Sequence, residues 1–230
     1  MAKPTPPPRF PGRIGDWVIH KDNQLMVFSK PAGLAVQPDR AGNPNLQQIG
    51  AAYARHDLYL IHRLDRPVSG VVVFGRRAAA QAALTEQLRQ RTVEKTYLAV
   101  VAERPPTESG TLQHHLVERK HNRSEAYGEK QPTSKRAELR YRLLGSSERY
   151  HLLEIDLVTG RKHQIRAQLA AIGCPVRGDE KYGFRRANPG GGIDLHAHRI
   201  AFDHPTSGQR ISLTAPPPDT PVWAAFAELL

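Results

Sequence analysis

The sequence predicts an α+β domain on a mixed, largely antiparallel sheet flanked by helices and loops. Segments with the β-branched content or the alternating pattern of strands outnumber helical segments along the 230 residues. Consecutive segments rarely alternate between strand and helix, as a doubly wound parallel sheet would require. The length is sufficient for one domain with a sizeable core.

The elements follow in order after a proline-rich segment. Residues 1–12 predict a flexible lead, which leaves 13–230 as the domain. Strands are predicted at 18–19, 25–28, 58–61, 71–74, 95–102, 137–143, 152–158, 195–202 and 210–214. Helices are predicted at 46–55, 78–91, 163–172 and 222–230. Ala, Gln and Leu favour the second helix, and Gly173 ends the third.

The charge balance points to a polyanionic partner. Lys and Arg number 33 against 22 Asp and Glu, for a formal net charge of +11. This excess favours nucleic acid over a membrane as the partner. No apolar run reaches the length of a membrane span, and the N-terminus has no apolar signal region. We therefore expect a cytoplasmic protein.

The sequence contains no complete set of residues at the spacing of a known metal-binding motif. A single cysteine, Cys174, excludes an internal disulfide framework and a cysteine-based zinc cluster. The pairs His114-His115 and His196-x-His198 lack the remaining ligands of a zinc motif, so we interpret them as surface, strand or RNA-facing residues. No metal site is expected.

The densest polar cluster lies at 62–70, between two strand-like runs. Asp65 is flanked by Arg63 and Arg66, and positive neighbours keep a carboxylate ionised, as a nucleophile or base requires. The alternative is a turn aspartate that accepts backbone N–H groups and pairs with a surface arginine. Residue types alone favour that alternative, because structural ion pairs outnumber catalytic ones.

A second basic cluster lies at 159–166. Thr159 could cap the following helix, which would place Arg161 and Lys162 at its N-terminus in a site suited to phosphate. His163 and Arg166 are three residues apart and share a helix face. The alternative is a solvated basic helix surface. A third candidate site residue is Tyr97, on the strand at 95–102. Considered alone, it is interpreted as a tyrosine packed in the core.

Taken together, these clusters resemble the RluA-type pseudouridine synthases. The segment HRLD at 62–65, followed by Ser69 and Gly70, is similar to their catalytic motif. The segment KTYLA at 95–99 is similar to the one that carries their active-site tyrosine. GRKHQIR at 160–166, continuing to 183, resembles their second signature. The family pattern is also matched by KPAG at 30–33 and by the segments at 195–197 and 204–205. The resemblance therefore covers residues 16–226, with the motifs in the order found in the family.

The resemblance implies a pseudouridine synthase fold with a central basic cleft, and isomerisation of uridine to pseudouridine in ribosomal or transfer RNA. It implies no cofactor and no metal. By the family pattern, Asp65 is the catalytic aspartate, either as nucleophile at C1′ or as base at C2′. The resemblance further implies that Tyr97 stacks on the target base, with proton transfer as an additional role open to it, and that Arg166 pairs with Asp65. Asp65, Tyr97 and Arg166 are therefore the expected catalytic residues, and Arg63 is expected to fill the gap left by the flipped nucleotide.

Further expectations concern RNA contacts and departures from the family. We expect Arg161, Lys162 and His163 to bind RNA. Val68 stands where the family most often has Thr, and Gln168 where it often has His. The chain has no room for the N-terminal S4 domain of many relatives, and we expect a monomer. The alternative function is a non-catalytic RNA-binding or ribosome-assembly module on the same fold.

Overall fold

A computed structural model describes residues 10–39 and 42–230, and its mixed sheet confirms the predicted α+β class. Within these residues the strands are β1 (Val18–Lys21), β2 (Leu25–Lys30), β3 (Tyr59–Leu60), β4 (Ser69–Gly75), β5 (Glu94–Val101), β6 (Ser109–Arg119), β7 (Arg123–Tyr127), β8 (Lys135–Ser146), β9 (His151–Leu157), β10 (Leu195–Asp203) and β11 (Arg210–Thr214). The helices are α1 (Leu46–Ala54), α2 (Ala78–Gln90), α3 (Gln164–Ala171) and α4 (Pro221–Ala224).

All the strands join one sheet. Its order is β1-β2-β4-β10-β5-β9-β8-β6-β7, with β3 added to β4 and β11 added to β10. Every pairing is antiparallel except that of β4 with β10, where Ser69 lies opposite His196 and Gly70 opposite Ala197. This parallel junction joins the two halves of the sheet, and the polar cluster at 62–68 leads directly into it.

Gly70 is required by this junction. Its φ is +114°, and a Cβ built on it would lie 2.2 Å from the backbone oxygen of Ala197. No side chain fits at that distance, so the two strands approach closely only because residue 70 is glycine. Beside it the buried Ser69 hydroxyl contacts His196 Nδ1 at 2.9 Å. The Ser-Gly pair after HRLD therefore belongs to the framework beneath the polar cluster.

Helices cover both faces of the sheet. On one face, Leu46 of α1 and Ile165 and Leu169 of α3 pack on the largest core cluster. On the other face, α2 packs on β2, β4 and β10, and the C-terminal Trp223 packs on β5 and β9. All seven residues of β4 are buried, because its side chains meet helices on both sides. This explains its continuous apolar run at 71–74.

Two predicted elements differ from the structure, and one hairpin of the structure was not predicted. The hairpin of β6 and β7 was not predicted, because its side chains are mostly polar and only partly buried. It forms by pairing with β8 rather than by burying an apolar stripe of its own. The strand predicted at 58–61 shrinks to the two residues of β3. The helix predicted at 222–230 is the short α4 followed by the 3-10 turn Ala227–Leu229.

The start of α3 corrects the predicted Thr159 cap. The N-cap is His163, in the left-handed conformation at φ +52°. The Thr159 hydroxyl donates instead to Oε1 of Gln164 at 2.8 Å and accepts from the Glu138 backbone N–H at 2.9 Å. Gln164 Oε1 also accepts the Arg161 backbone N–H. A side-chain bridge therefore organises this turn, and the helix begins after it.

The predicted lead at 1–12 lies largely outside the described residues, which begin at Phe10. The ring of Phe10 meets that of Trp17 edge-on at 6.3 Å, and the Trp17 indole donates to the Pro11 carbonyl at 2.7 Å. Of the predicted lead, the described residues Phe10 and Pro11 therefore contact Trp17 of the domain. Throughout the described residues, no helix combines the length and apolarity needed to traverse a bilayer.

Candidate active site

A basic cleft of about 840 Å³ lies beside the parallel junction. It is lined by the loop before β4, by β5, by the turn before α3 and by α3 itself. Seven Lys or Arg residues line it against two carboxylates, those of Asp65 and Glu118. The cleft predicted from the family resemblance is present, and its charge suits a polyanion.

Asp65 occupies a tight turn in the loop between β3 and β4. The Val68 N–H donates to the Asp65 carbonyl at 3.0 Å, which closes the turn through Pro67. The carboxylate is 18% exposed, so it is accessible from the cleft but largely enclosed by protein. Its nearest cation is Arg166, whose Nη1 donates to Oδ2 at 3.0 Å. The flanking Arg63 and Arg66, proposed as its charge partners, make no ion pair with it among the described residues.

The Arg166 guanidinium is held on three sides. Its Nε and Nη2 donate to the two oxygens of buried Asp179, at 2.6 and 2.8 Å. The ring of Tyr182 lies 4.9 Å from the guanidinium carbon. Burial lowers the pKa of Arg166, but the bonds and charges of Asp179 and Asp65 outweigh this and raise it. The guanidinium therefore stays charged, in an orientation that presents Nη1 to Asp65.

His163 connects this ion pair to the hairpin. Its Nε2 lies 3.7 Å from Asp65 Oδ2, and its Nδ1 lies 2.9 Å from the Tyr182 hydroxyl. That hydroxyl accepts the Ser124 backbone N–H at 2.8 Å, so its own proton is free for His163 Nδ1. This assigns the remaining proton to Nε2, facing Asp65. Burial lowers the pKa of His163 to about 4 against the opposing charge of Asp65, so the ring is neutral at pH 7.

Tyr97 forms part of the cleft wall. Its side chain is buried on the same face of β5 as Ala99 and Val101. Its hydroxyl has no hydrogen-bond partner among the described residues. Burial, and secondarily the Asp65 charge, raise the pKa of the phenol, so it is protonated at pH 7. Asp65 and Tyr97 therefore offer an anionic and an aromatic surface to the same space.

Lys30 ties the segment at 30–33 to the Asp65 loop. The fully buried ammonium donates to the carbonyls of Pro31, Leu34 and Arg66, at 3.0, 2.8 and 3.2 Å. Burial lowers the pKa of Lys30 to about 7, which the Asp65 charge opposes. Arg66 adds a second link, because its Nε donates to the Gly33 carbonyl. The KPAG segment thus holds the loop that carries Asp65.

The residues predicted to bind RNA divide into two groups. The first group, on the cleft rim, is Arg63, Arg161 and Lys162. Arg63 is unpaired among the described residues, and Arg161 Nε donates to the Arg136 carbonyl at 3.2 Å. Lys162 Nζ lies 3.6 Å from Glu118 Oε2. His163 is instead buried beside Asp65. Its geometry connects it to the ion pair rather than to the open rim.

The two departures from the family lie on opposite sides of the site. Val68 is buried in the main core at the end of the Asp65 turn, where a hydroxyl is not needed to close the turn. The Gln168 amide nitrogen donates to the Leu112 carbonyl at 3.0 Å, away from the cleft, while its Oε1 is buried without a partner. Gln168 therefore anchors β6 and does not reach Asp65 through any contact in the described chain.

Sequence reasoning missed Asp179 and Tyr182 as site residues. Both were inside the segment quoted for the second family signature, and a carboxylate was needed to balance a buried Arg166. The two histidine pairs lie in strands, which was one of the interpretations left open: His114-His115 in β6 and His196-x-His198 in β10. His196 is buried there and contacts Ser69 and the Ala215 carbonyl. No three His, Cys, Asp or Glu side chains in the described part of the chain gather as metal ligands would.

Comparison with known proteins identifies the family of the chain. Residues 24–171 match the family described as RNA pseudouridylate synthase. The proteins named ribosomal large subunit pseudouridine synthase D from Xylella fastidiosa and Xanthomonas campestris are each 36% identical over 222 residues. These matches cover 88% of this chain and 66% of each relative, so the chain spans slightly less than two thirds of their length.

A solved human structure has the same fold. The protein titled RNA pseudouridylate synthase domain containing 4 superimposes with a TM-score of 0.75, at 23% identity and with 94% of each chain covered. The strand order and the parallel junction described above therefore belong to a fold already seen in this group of proteins.

Proposed function

Because the chain belongs to the RNA pseudouridylate synthase family, we propose that it converts uridine to pseudouridine within RNA. The observation that carries this proposal is the Asp65 carboxylate, held at 3.0 Å by a buried Arg166 inside a basic cleft. A non-catalytic RNA-binding module would have no need for a buried, doubly paired arginine directed at a cleft carboxylate.

The enclosed position of Asp65 requires the target nucleotide to leave the RNA stack. A stacked uridine hides its glycosidic bond, and extrusion costs about a few kcal/mol. The exposed, unpaired Arg63 lies on the same loop as Asp65. Its planar guanidinium can occupy the vacated position in the stack, which a lysine would do less well.

Once the uridine is in the cleft, Asp65 acts on its ribose. The carboxylate either attacks C1′ or removes the C2′ proton, and the bond between C1′ and N1 breaks in each case. The uracil turns and C5 bonds to C1′ as the carboxylate leaves C1′ or the proton returns to C2′. C5 then loses its proton and N1 gains one. The reaction is an isomerisation, so it balances without a co-substrate. Arg166 holds the carboxylate in its orientation through the bond from Nη1, and Tyr97 supplies the surface on which the uracil stacks.

We propose ribosomal RNA of the large subunit as the substrate. The two bacterial relatives are named for that RNA. The rim residues Arg63, Arg161 and Lys162 would contact phosphates, which set the register of the RNA without reading its bases. We further propose that the protein acts as a monomer in the cytoplasm; gel filtration with light scattering tests the first statement.

The deciding experiment replaces one atom at Asp65. Asp65→Asn keeps the shape of the side chain and removes its charge, so we expect no pseudouridine to form while RNA affinity changes little. Purified wild-type and variant proteins are incubated with unmodified large-subunit ribosomal RNA, and pseudouridine is mapped. Asp219→Asn, at an exposed site, is the matched control. Equal activity of wild type and Asp65→Asn refutes the assignment.

A further inference from the structure

One wall of the cleft carries a lysine that no carboxylate of the described residues neutralises. Lys95 lies two residues before Tyr97 on β5, and both side chains line the cleft. No hydrogen bond or ion pair to Lys95 exists among the described residues, and burial lowers the pKa of its ammonium. A Cβ at Gly160 would lie 3.3 Å from Lys95 Nζ, so glycine at that position avoids a side chain that would crowd the ammonium.

A neutral donor lines the same cleft. The Val73 backbone N–H donates to His62 Nε2 at 3.1 Å, one residue beyond the end of the β3–β4 pairing at Phe74. Since Nε2 accepts a hydrogen bond, Nδ1 carries the ring proton. Burial, together with the nearby Lys95 charge, lowers the pKa of His62 to about 3, so this tautomer persists at pH 7. His62 Nδ1 has no partner among the described residues.

We propose that Lys95 and the Nδ1–H of His62 form a subsite for an RNA phosphate beside the flipped nucleotide. This proposal rests on the function proposed above and names the contact by which the cleft holds the backbone at that nucleotide. Lys95 adjoins Tyr97 and His62 adjoins the Asp65 loop, so an anion between them lies next to the reacting ribose. A phosphate oxygen gives the ammonium a partner that residues 10–39 and 42–230 do not supply.

The Lys95 contact is tested by the salt dependence of binding. Wild type and Lys95→Gln are titrated with unmodified large-subunit ribosomal RNA across a salt series. We expect Lys95→Gln to bind about tenfold more weakly, because a charged hydrogen bond is lost. The slope of log affinity against log salt falls by about 0.7 to 0.9, the value for one phosphate contact. Lys21→Gln, on the exposed edge strand β1, is the matched control and keeps the wild-type slope.

Thermal unfolding separates this role from a structural one. An uncompensated, partly buried cation destabilises the free protein, so Lys95→Gln should melt at the wild-type temperature or above it. A structural lysine would instead lower the melting temperature when replaced. An unchanged salt slope overturns the phosphate contact, and a lowered melting temperature overturns the description of Lys95 as uncompensated.

The His62 contact needs a variant that keeps its structural bond. Gln places an amide oxygen where Nε2 accepts from Val73, but it has no donor at the position of Nδ1. We expect His62→Gln to bind RNA about threefold more weakly with an unchanged salt slope, because the lost donor is neutral. If His62→Gln binds RNA with the wild-type affinity, His62 is not part of the subsite.

The two proposals fail separately. If wild type forms pseudouridine and Lys95→Gln keeps the wild-type slope, the subsite is wrong and the function stands. If wild type forms no pseudouridine but Lys95→Gln lowers the slope, the phosphate site stands and the isomerase function is wrong.

Discussion

Arg166 and Arg161 lie five positions apart in the chain and in opposite environments. Arg166 is buried, bonded to two carboxylates and covered by an aromatic ring. Arg161 is exposed, and its side chain makes one hydrogen bond within the described part of the chain, to the Arg136 carbonyl at the cleft rim. Three nitrogens of the Arg166 guanidinium therefore donate to carboxylates, whereas Arg161 is the residue that we propose contacts RNA. One basic cleft therefore contains a rigid centre and a rim that stays open for ligand.

The centre should respond to substitution with a loss of stability, and the rim with a loss of RNA affinity. Removing one partner from a buried pair leaves the other charge desolvated and uncompensated. Removing an exposed arginine leaves no such charge behind. Three predictions test this difference between the two regions.

Arg166→Met should have the largest effect. It leaves Asp179 buried without its cation, and such a change costs about 3–5 kcal/mol. We expect this loss in the free energy of unfolding from urea titration, together with loss of activity. The double variant Arg166→Met with Asp179→Asn removes the stranded charge as well and should recover part of the stability. If the double variant is as unstable as the single one, the pair is not the source of the cost.

The second largest effect should come from acidification, which lowers the free energy of unfolding through the buried His163. His163 is neutral in the folded protein, with a pKa lowered to about 4, while an unfolded histidine titrates near 6.5. Between these values the unfolded state binds the extra proton, so stability falls as pH falls, by about 1.4 kcal/mol per pH unit for this residue. Urea titrations from pH 7 to 4.5 measure the slope. His163→Asn should flatten it by that amount, and an unchanged slope contradicts the neutral assignment.

Arg161→Ala should have the smallest effect on the folded protein. Its exposed side chain has no carboxylate partner among the described residues, so the free energy of unfolding should stay within about 0.5 kcal/mol of wild type. Binding should weaken uniformly across RNAs, with a salt slope reduced by about 0.7 to 0.9. Arg149→Ala, exposed outside the cleft, is the control. A wild-type slope for Arg161→Ala would place this residue away from the RNA backbone.

Periodicity predicted the elements that bury an apolar stripe and missed those that do not. The runs at 25–28 and 71–74 became β2 and β4, because their side chains enter the core. The β6–β7 hairpin is held by backbone pairing to β8 and by Ser124, which donates from Oγ to the Lys162 carbonyl. Such contacts leave no local pattern, because their partners lie elsewhere in the chain.

The candidate site was only partly accessible from residue patterns. Residue types around Asp65 indicated a charged turn, but the nearest cation proved to be Arg166, 101 positions away, and not the adjacent arginines. The family resemblance pointed to Arg166; nothing in the local sequence did. Asp179 and Tyr182 became recognisable only through the bonds that they make to Arg166 and His163.

Composition and pattern by themselves determined the positive charge, the predominance of strands and the order of the polar segments along the chain. These properties depend on residue identity and on contacts between near neighbours. The tertiary structure decided which charges are paired, which histidines are neutral and which cations remain open to a ligand. The ionisation of a side chain depends on its burial and on charged groups from distant segments of the chain. Burial and these long-range contacts arise only in the tertiary structure.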